Sequence, residues 1–423
     1  MIRDIEREFF VILQEELIPA MGCTEPIALA YAAAVAKREL GGEPTSIVAK
    51  CSGNIVKNVF SVSIPNSGGM VGIESAVVLG AIGGNPDLLM EVLESVTPED
   101  IQRANELIGD NICQLEFLDS DIPLHFVIEE RDAQHCVTVE VRYSHTNIVR
   151  ITKDDQVVFE ADTNAFGGTA KTDRSRLSIA NIKDFADNVD IELIRPLYDK
   201  QIMYNMAIAE EGMTGKYGLG IGKVLLSAYT GGIVQQMKAY AAAASEARMG
   251  GCDMPVIITS GSGNQGIASS VPVIVYARER DIPTEKLYRA LAFSSLLTIF
   301  QKEFIGKLSA FCGAVSASCA AGAAITYIEG GSLKAIEDTI DNTLANCPGV
   351  ICDGAKVSCA AKIASCLDAA LLGHYLAVQG KAYAANEGIL MQETGDTISC
   401  VGHIGRVGMR QTDKEIIKLM LGR

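Results

Sequence analysis

A mainly α catalytic body of alanine- and glycine-rich helices and glycine loops, carrying a small inserted α+β domain, is the fold class this 423-residue chain predicts. Three observations predict it. Apolar residues recur at helical spacing over most of the chain, and alanine, glycine and serine dominate its long uncharged runs. One stretch, Ile112 to Ala161, switches instead to alternation with β-branched residues.

Residues 1–95 read as helical, interrupted by glycine loops. "EREFFVILQEELIP" has helical spacing and stops at Pro19. "EPIALAYAAAVAKREL" begins with Pro26 in a first turn, where proline is tolerated. The loop "SIPNSGGMVG" leads into "IESAVVLGAI", and two short helices are expected near 86–94 and 98–108. "ICQLEFLD", "LHFVIEERD", "CVTVEVRYS", "NIVRIT" and "QVVFEA" then predict a small antiparallel sheet. From about residue 175 the chain is again helical. The expected division is a body from 1–95 and 166–423, with the α+β insertion at 96–165.

Lysine and arginine total 36 against 52 aspartates and glutamates, a formal charge of −16. No basic cluster offers a phosphate-binding face, which excludes nucleic acid as an expected partner. The N-terminus is charged and amphipathic, without the apolar stretch of a signal peptide. Leu308 to Ile328 is uncharged and long enough to span a bilayer, yet its alanine, glycine, serine and cysteine gain little from lipid. A buried helix is the better reading. No membrane is expected as a partner, and the cytoplasm is the expected location.

Two segments, "FCGAVSASCAAGAA" and "ICDGAKVSCAAK", share the pattern Cys, six residues, Cys-Ala-Ala, at Cys312/Cys319 and Cys352/Cys359. Twelve cysteines in so long a chain do not make a secreted disulfide scaffold. On one straight helix, thiols seven positions apart share a face but sit roughly 10 Å from each other. They could meet at one site if Gly354 breaks its segment into a loop. Zinc is disfavoured because the cysteines do not fall into Cys-x2-Cys pairs. An iron–sulfur cluster tolerates such spacing, and packing of cysteine as a small hydrophobe remains open.

Cys23, in "PAMGCTEP", sits ahead of a helix start, where unpaired N–H groups and the dipole would lower its pKa. It is a candidate base or nucleophile, or else a buried turn residue with Thr24 as the cap. "IPNSGGMVG" and "TSGSGNQG" offer backbone N–H groups to a carboxylate or phosphate, or serve as tight connections. The second would also suit pyridoxal phosphate if a lysine lay nearby. Asn66, Ser67 and Gly68, with Ser262 and Asn264, are the candidates for holding a substrate's carboxylate and amine. The five histidines form no paired-ligand pattern and read as mostly surface or structural.

Together, "GCTEPIALAYAAAVA", "SGSGNQG", the two cysteine segments and "GRVGMRQTD" resemble the L-cysteine desulfidase family, related to the α part of iron–sulfur L-serine dehydratases. The resemblance spans nearly the whole chain. The dehydratases' Cys-Gln-Gly-Glu-Val-Gly segment resembles "CGAVS" after one deletion, and their Cys-Asp-Pro segment resembles "CDG". This implies an oxygen-labile [4Fe-4S] cluster on Cys312, Cys352 and Cys359, with Cys319 matching a cysteine that does not bind it. Their Pro-Thr-Asn-Gly-Ala-Ala-Gly loop resembles "SGSGNQG", which implies a place for Asn264 beside the substrate. Ala314 stands where the dehydratases carry Glu, and Cys352 and Cys359 lie closer together than their counterparts. The implied activity is a carbon–sulfur lyase reaction, β-elimination of L-cysteine to sulfide, pyruvate and ammonia, with Cys23 as its acid/base residue. L-Serine dehydration on the same cluster, or a pyridoxal phosphate lyase, are the alternatives. A small amino-acid substrate and further copies of the chain, as a homo-oligomer, are the expected partners.

Overall fold

The structure is a computed structural model and describes residues 4–161, 172–229, 231–306, 308–420 and 422. Its core is a bundle in which the helix Gly313–Ile328 is buried along its whole length. That helix packs against Gly263–Glu279, Thr284–Ile305, Leu333–Asn346 and Cys359–Ala377. Its alanines, serines and glycine let four neighbours approach at once, so the uncharged run is a buried helix, as its composition predicts. No helix among the described residues is long and apolar enough to cross a membrane.

The α+β unit is a six-stranded sheet built from β2 (Ser46–Cys51), β3 (Cys113–Phe117), β4 (His125–Arg131), β5 (Cys136–Arg142), β6 (Ile148–Lys153) and β7 (Gln156–Glu160). The strand order is β3-β2-β4-β5-β6-β7, with β2 and β3 parallel and every other pair antiparallel. Phe126 and Ile128 of β4 and Val137, Val139 and Val141 of β5 are buried, and both strands pack on the helix Thr24–Leu40. The alternating stretch therefore folds as predicted, inside a mainly helical chain.

The helical reading of residues 1–95 needs one correction. β2 comes from that segment, so the sheet reaches outside 96–165 and is mixed rather than purely antiparallel. Ile47, Ala49 and Cys51 do alternate inward, but alanine and lysine are weak strand formers and the run is only six residues. Behind β2, the helices Thr24–Leu40 and Ile73–Gly83 touch backbone to backbone: a Cβ on Gly80 would lie 2.3 Å from the Ala30 carbonyl oxygen.

Two small pairings position the site. β1 (Pro19–Met21) runs antiparallel to β8 (Pro255–Ile257), which lays "PAMGCTEP" beside "PVIITSGSGN". Phe311 and Ile351 form an isolated antiparallel bridge, closed by Cys312 N–H to Val350 O (2.8 Å) and Cys352 N–H to Ala310 O (2.7 Å). Since side chains alternate across such a bridge, Cys312 and Cys352 fall on the same side of it.

Candidate functional site

Four helices begin at one small cavity. Cys23 is the N-cap of Thr24–Leu40, Ser262 of Gly263–Glu279 and Cys312 of Gly313–Ile328, while Cys359 is the first residue of Cys359–Ala377. Cys23, Ser262, Cys312 and Cys359 all line the cavity, of about 90 Å³, together with Cys352 and Asn264. Helix starts carry unpaired N–H groups and the positive end of the dipole, so the cavity is suited to anions. It adjoins a groove of about 780 Å³ between the sheet's loops and the helix Arg410–Met420, the two sharing Lys302, Leu308 and Ser309.

The two cysteine segments reach this point differently. Cys312 arrives from the bridge and starts a helix at once. That helix carries Cys319 two turns away into the core, where it is fully buried and faces Thr343 and Gln301. In the second segment Cys352 leaves the bridge into a loop, and the helix starts only at Cys359. Gly354 makes the break. Its φ is +97°, and a Cβ there would sit 2.5 Å from the Lys57 carbonyl oxygen. The Lys356 N–H donates to Cys359 Sγ at 3.4 Å, which fixes that thiol toward the loop. Three of the four cysteines therefore surround the cavity, and Cys319 lies outside it.

Charged side chains buried around the thiols hold this geometry. The Lys57 ammonium, almost wholly buried, pairs with Asp413 at 2.5 Å and reaches the Cys352 carbonyl at 3.4 Å. Asp413 belongs to the "GRVGMRQTD" segment, so the chain's C-terminal helix clamps the Cys352 loop. The Cys312 thiol beside it, with Lys57, pulls the Cys352 pKa down, and Cys352 together with burial pushes Cys312 up. The pair thus gives up a first proton readily and holds the second. Lys302, also buried, faces both thiols; burial lowers it to about 8 against their opposing pull.

Cys23 departs from expectation. Burial, reinforced by the neighbouring Glu25 carboxylate, pushes its pKa well above the usual thiol value, outweighing the helix start. Its Sγ donates to Glu25 Oε2 at 3.1 Å. Thr24 is not the cap: it is the first helical residue, and its hydroxyl donates to the same carboxylate oxygen at 3.0 Å. Asn58 donates to Glu25 Oε1 at 3.0 Å, and His145 Nε2 stands 3.8 Å from that oxygen, an ion-pair distance. Burial alone would raise Glu25, but His145, Cys23 and Thr24 hold it down at about 2.

The loop candidates divide. Ser262 caps its helix by accepting from Gln265 N–H, and Asn264 Oδ1 accepts from Arg248 Nη1 and Ser245 Oγ, both at 3.1 Å. Both residues line the cavity. Asn66, Ser67 and Gly68 do not. The Asn66 amide donates to the carbonyls of Leu93, Glu94 and Val96, and Ser67 Oγ bridges Ile64 O and Met70 N–H. Their polar groups are spent closing the loop, which packs Pro65 against Gly22, the residue before Cys23.

Glu25, Asn58, Arg248, Gln265 and Lys302 line the cavity without having been singled out from sequence, and His145 stands behind Glu25. The histidine reading holds for the others in the sheet: His135 is half-buried beside Asp154, and His125 bonds Glu140 within it. Arg248 in "AAAASEARMGG" and Lys302 after "LLTIFQ" each stand within two residues of a glutamate in an otherwise uncharged helical run, a weak signal for a buried charge.

Among the described residues, no three His, Cys, Asp or Glu side chains close around a point where a single ion would sit. The donor set nevertheless fits an iron–sulfur group: soft thiolate ligands, helix starts and buried lysines facing them, and no carboxylate-rich cage. Buried polar atoms without a protein partner, Arg248 Nε, Gln265 Oε1 and Asn58 Oδ1, also mark the cavity as built to receive something.

Comparison with known proteins gives the chain's family. Residues 87–418 match the family described as serine dehydratase alpha chain. This chain belongs to that family. Similar full-length relatives are a UPF0597 protein of Lachnoclostridium phytofermentans, 46% identical over 97% of this chain and 98% of the relative, and one of Desulfitobacterium hafniense, 45% identical over 97% and 96%. A UPF0597 protein of Treponema denticola is 45% identical over 98% of this chain and 97% of its own length.

Proposed function

We propose that the chain is an iron–sulfur-dependent lyase that eliminates sulfide from L-cysteine, leaving pyruvate and ammonia after hydrolysis. Membership of the serine dehydratase alpha-chain family supports a lyase of this type. The observation that carries the reading is the meeting of Cys312, Cys352 and Cys359 around one cavity that excludes Cys319. In this reading those three thiolates hold a [4Fe-4S] cluster. When bound, the cluster would supply a Lewis-acidic iron without a protein ligand.

The chain's own groups do the rest. Lys302 and Lys57 offset the thiolate charge, and the Lys57–Asp413 pair keeps the Cys352 loop closed over the cavity. Ser262 and Asn264, at a helix start, orient the substrate. Cys23 Sγ, which holds a proton shared toward Glu25 Oε2, handles the proton transfer. The Cα–H electron pair becomes the Cα–Cβ double bond as the carbon–sulfur pair leaves with sulfur; the departing sulfide takes the Cys23 proton, and the Cα proton passes to the Cys23 thiolate. One proton leaves and one arrives, so the balance closes on hydrogen sulfide and aminoacrylate. L-Serine, losing water by the same path, is the second substrate to compare.

The test is an anaerobic assay of iron-loaded protein with L-cysteine and with L-serine, following sulfide and pyruvate. Equal amounts of sulfide and pyruvate from L-cysteine, at a higher kcat/KM than pyruvate from L-serine, are expected. Full activity in iron-free protein would falsify the cluster reading, and preference for L-serine would make the chain a dehydratase.

A further inference from the structure

Arg248 is a buried cation without an anion. The residue is 2% exposed, and among the described residues no carboxylate lies within ion-pair distance of its guanidinium. Its Nη1 donates to a neutral acceptor, Asn264 Oδ1 at 3.1 Å, with Met249 Sδ a weak contact at 4.0 Å, while Nε has no partner. A guanidinium is not deprotonated in proteins, so it cannot escape burial by losing its charge. Such a group is retained where a partner arrives to complete it.

The surroundings are shaped around that fork. A Cβ on Gly263 would lie 2.2 Å from Arg248 Nε, so the "SGSGN" turn must have glycine there to reach the guanidinium. Asn264 Oδ1 accepts from both Arg248 and Ser245, which leaves its NH2 to face the cavity. The helix Gly263–Glu279 starts at the same point. A planar fork, an amide NH2 and a helix start together match one ligand chemistry, a planar carboxylate bound through both oxygens.

We propose that Arg248 and Asn264 form the subsite for the substrate's free α-carboxylate, and that this subsite makes the enzyme reject amino-acid esters and decarboxylated analogues. The assignment rests on the lyase reading for the identity of the substrate, but not for the existence of a carboxylate site. Position relative to Cys23 agrees with it, since Arg248 lies within electrostatic range of both Cys23 and Glu25, and the two segments are paired through β1 and β8.

The experiment uses anaerobic iron-loaded protein and calorimetric binding of L-cysteine, L-cysteine methyl ester and cysteamine, alongside kcat and KM for L-cysteine. Wild type should bind L-cysteine about 100-fold more tightly than either analogue. Arg248→Gln should raise KM and Kd for L-cysteine by about 100-fold, leave the ester's Kd unchanged and keep the iron content, with Arg248→Lys intermediate. Wild type that binds the ester as well as the acid, or binds neither, overturns the proposal without any variant. So does a folded, iron-loaded Arg248→Gln that keeps the discrimination. Tight, carboxylate-dependent binding without turnover would sustain this subsite while ending the lyase reading.

Discussion

The segments around Cys312/Cys319 and Cys352/Cys359 share a spacing and a Cys-Ala-Ala ending, yet they do opposite things with their second cysteine. In the first, the helix starts at Gly313 and carries Cys319 into the core. In the second, the helix waits until Cys359, so both thiols stay at the cavity. Where the helix begins decides which thiols converge, not the number of residues between them. Gly354 sets that start in one segment, and the equivalent position of the other is Ala314, already helical.

The largest effect that could break this contrast comes from Asp413. Asp413→Ala leaves the Lys57 ammonium buried and unpaired behind the Cys352 loop, which should cost about 3–5 kcal/mol. Urea denaturation should show that loss together with lowered iron retention, although residue 413 lies well beyond Cys312, Cys352 and Cys359 in sequence. Gly354→Ala acts on the turn itself. Forcing a Cβ into a φ of +97° against the Lys57 carbonyl should cost about 1–3 kcal/mol and displace Cys352 from Cys312. The matched change in the first segment, Ala314→Gly, sits inside a helix and should cost only about 1 kcal/mol with iron retained. If both substitutions behaved alike, the helix-start explanation would fail.

A smaller effect sharpens the contrast with the third helix-start thiol, Cys23, whose partner is a carboxylate instead of a second thiol. Glu25 is held at about 2 against an ordinary value of 4.5, so its ionised form favours the folded state. That contribution is present above about pH 4.5 and is lost as pH falls toward 2. Glu25→Gln should therefore flatten the stability profile across this window, measured as urea midpoints at pH 5 and pH 3. An unchanged profile would show that Glu25 is not held ionised by Cys23, Thr24 and His145.

Legibility in sequence followed how local each signal is. Alternation from Ile112 to Ala161 gave away the sheet because the period-2 pattern is carried by the strands themselves. β2 stayed hidden, since Ser46–Cys51 is a strand only because β3 and β4 flank it. For the site, the cysteines and the "SGSGN" turn were visible as candidates, and the resemblance separated Cys319 from the rest. Asn66, Ser67 and Gly68 looked equally suitable because a glycine turn does not reveal whether its donors face a ligand or its own carbonyls. Arg248 showed in sequence only as a charge in an alanine-rich run, for the converse reason. Its meaning lies in a missing carboxylate partner, which only the packing of four helix starts discloses.

In the proposed lyase Cys312, Cys352 and Cys359 bind one cluster and Cys319 does not. The most direct measurement of this is iron content and the visible absorption of anaerobically prepared wild type beside the four single Cys→Ser variants. The account predicts brown wild type with about four irons per chain, bleaching in Cys312→Ser, Cys352→Ser and Cys359→Ser, and near wild-type colour in Cys319→Ser. A Cys319→Ser protein that folds but loses its iron, or a Cys352→Ser protein that keeps it, would contradict the account.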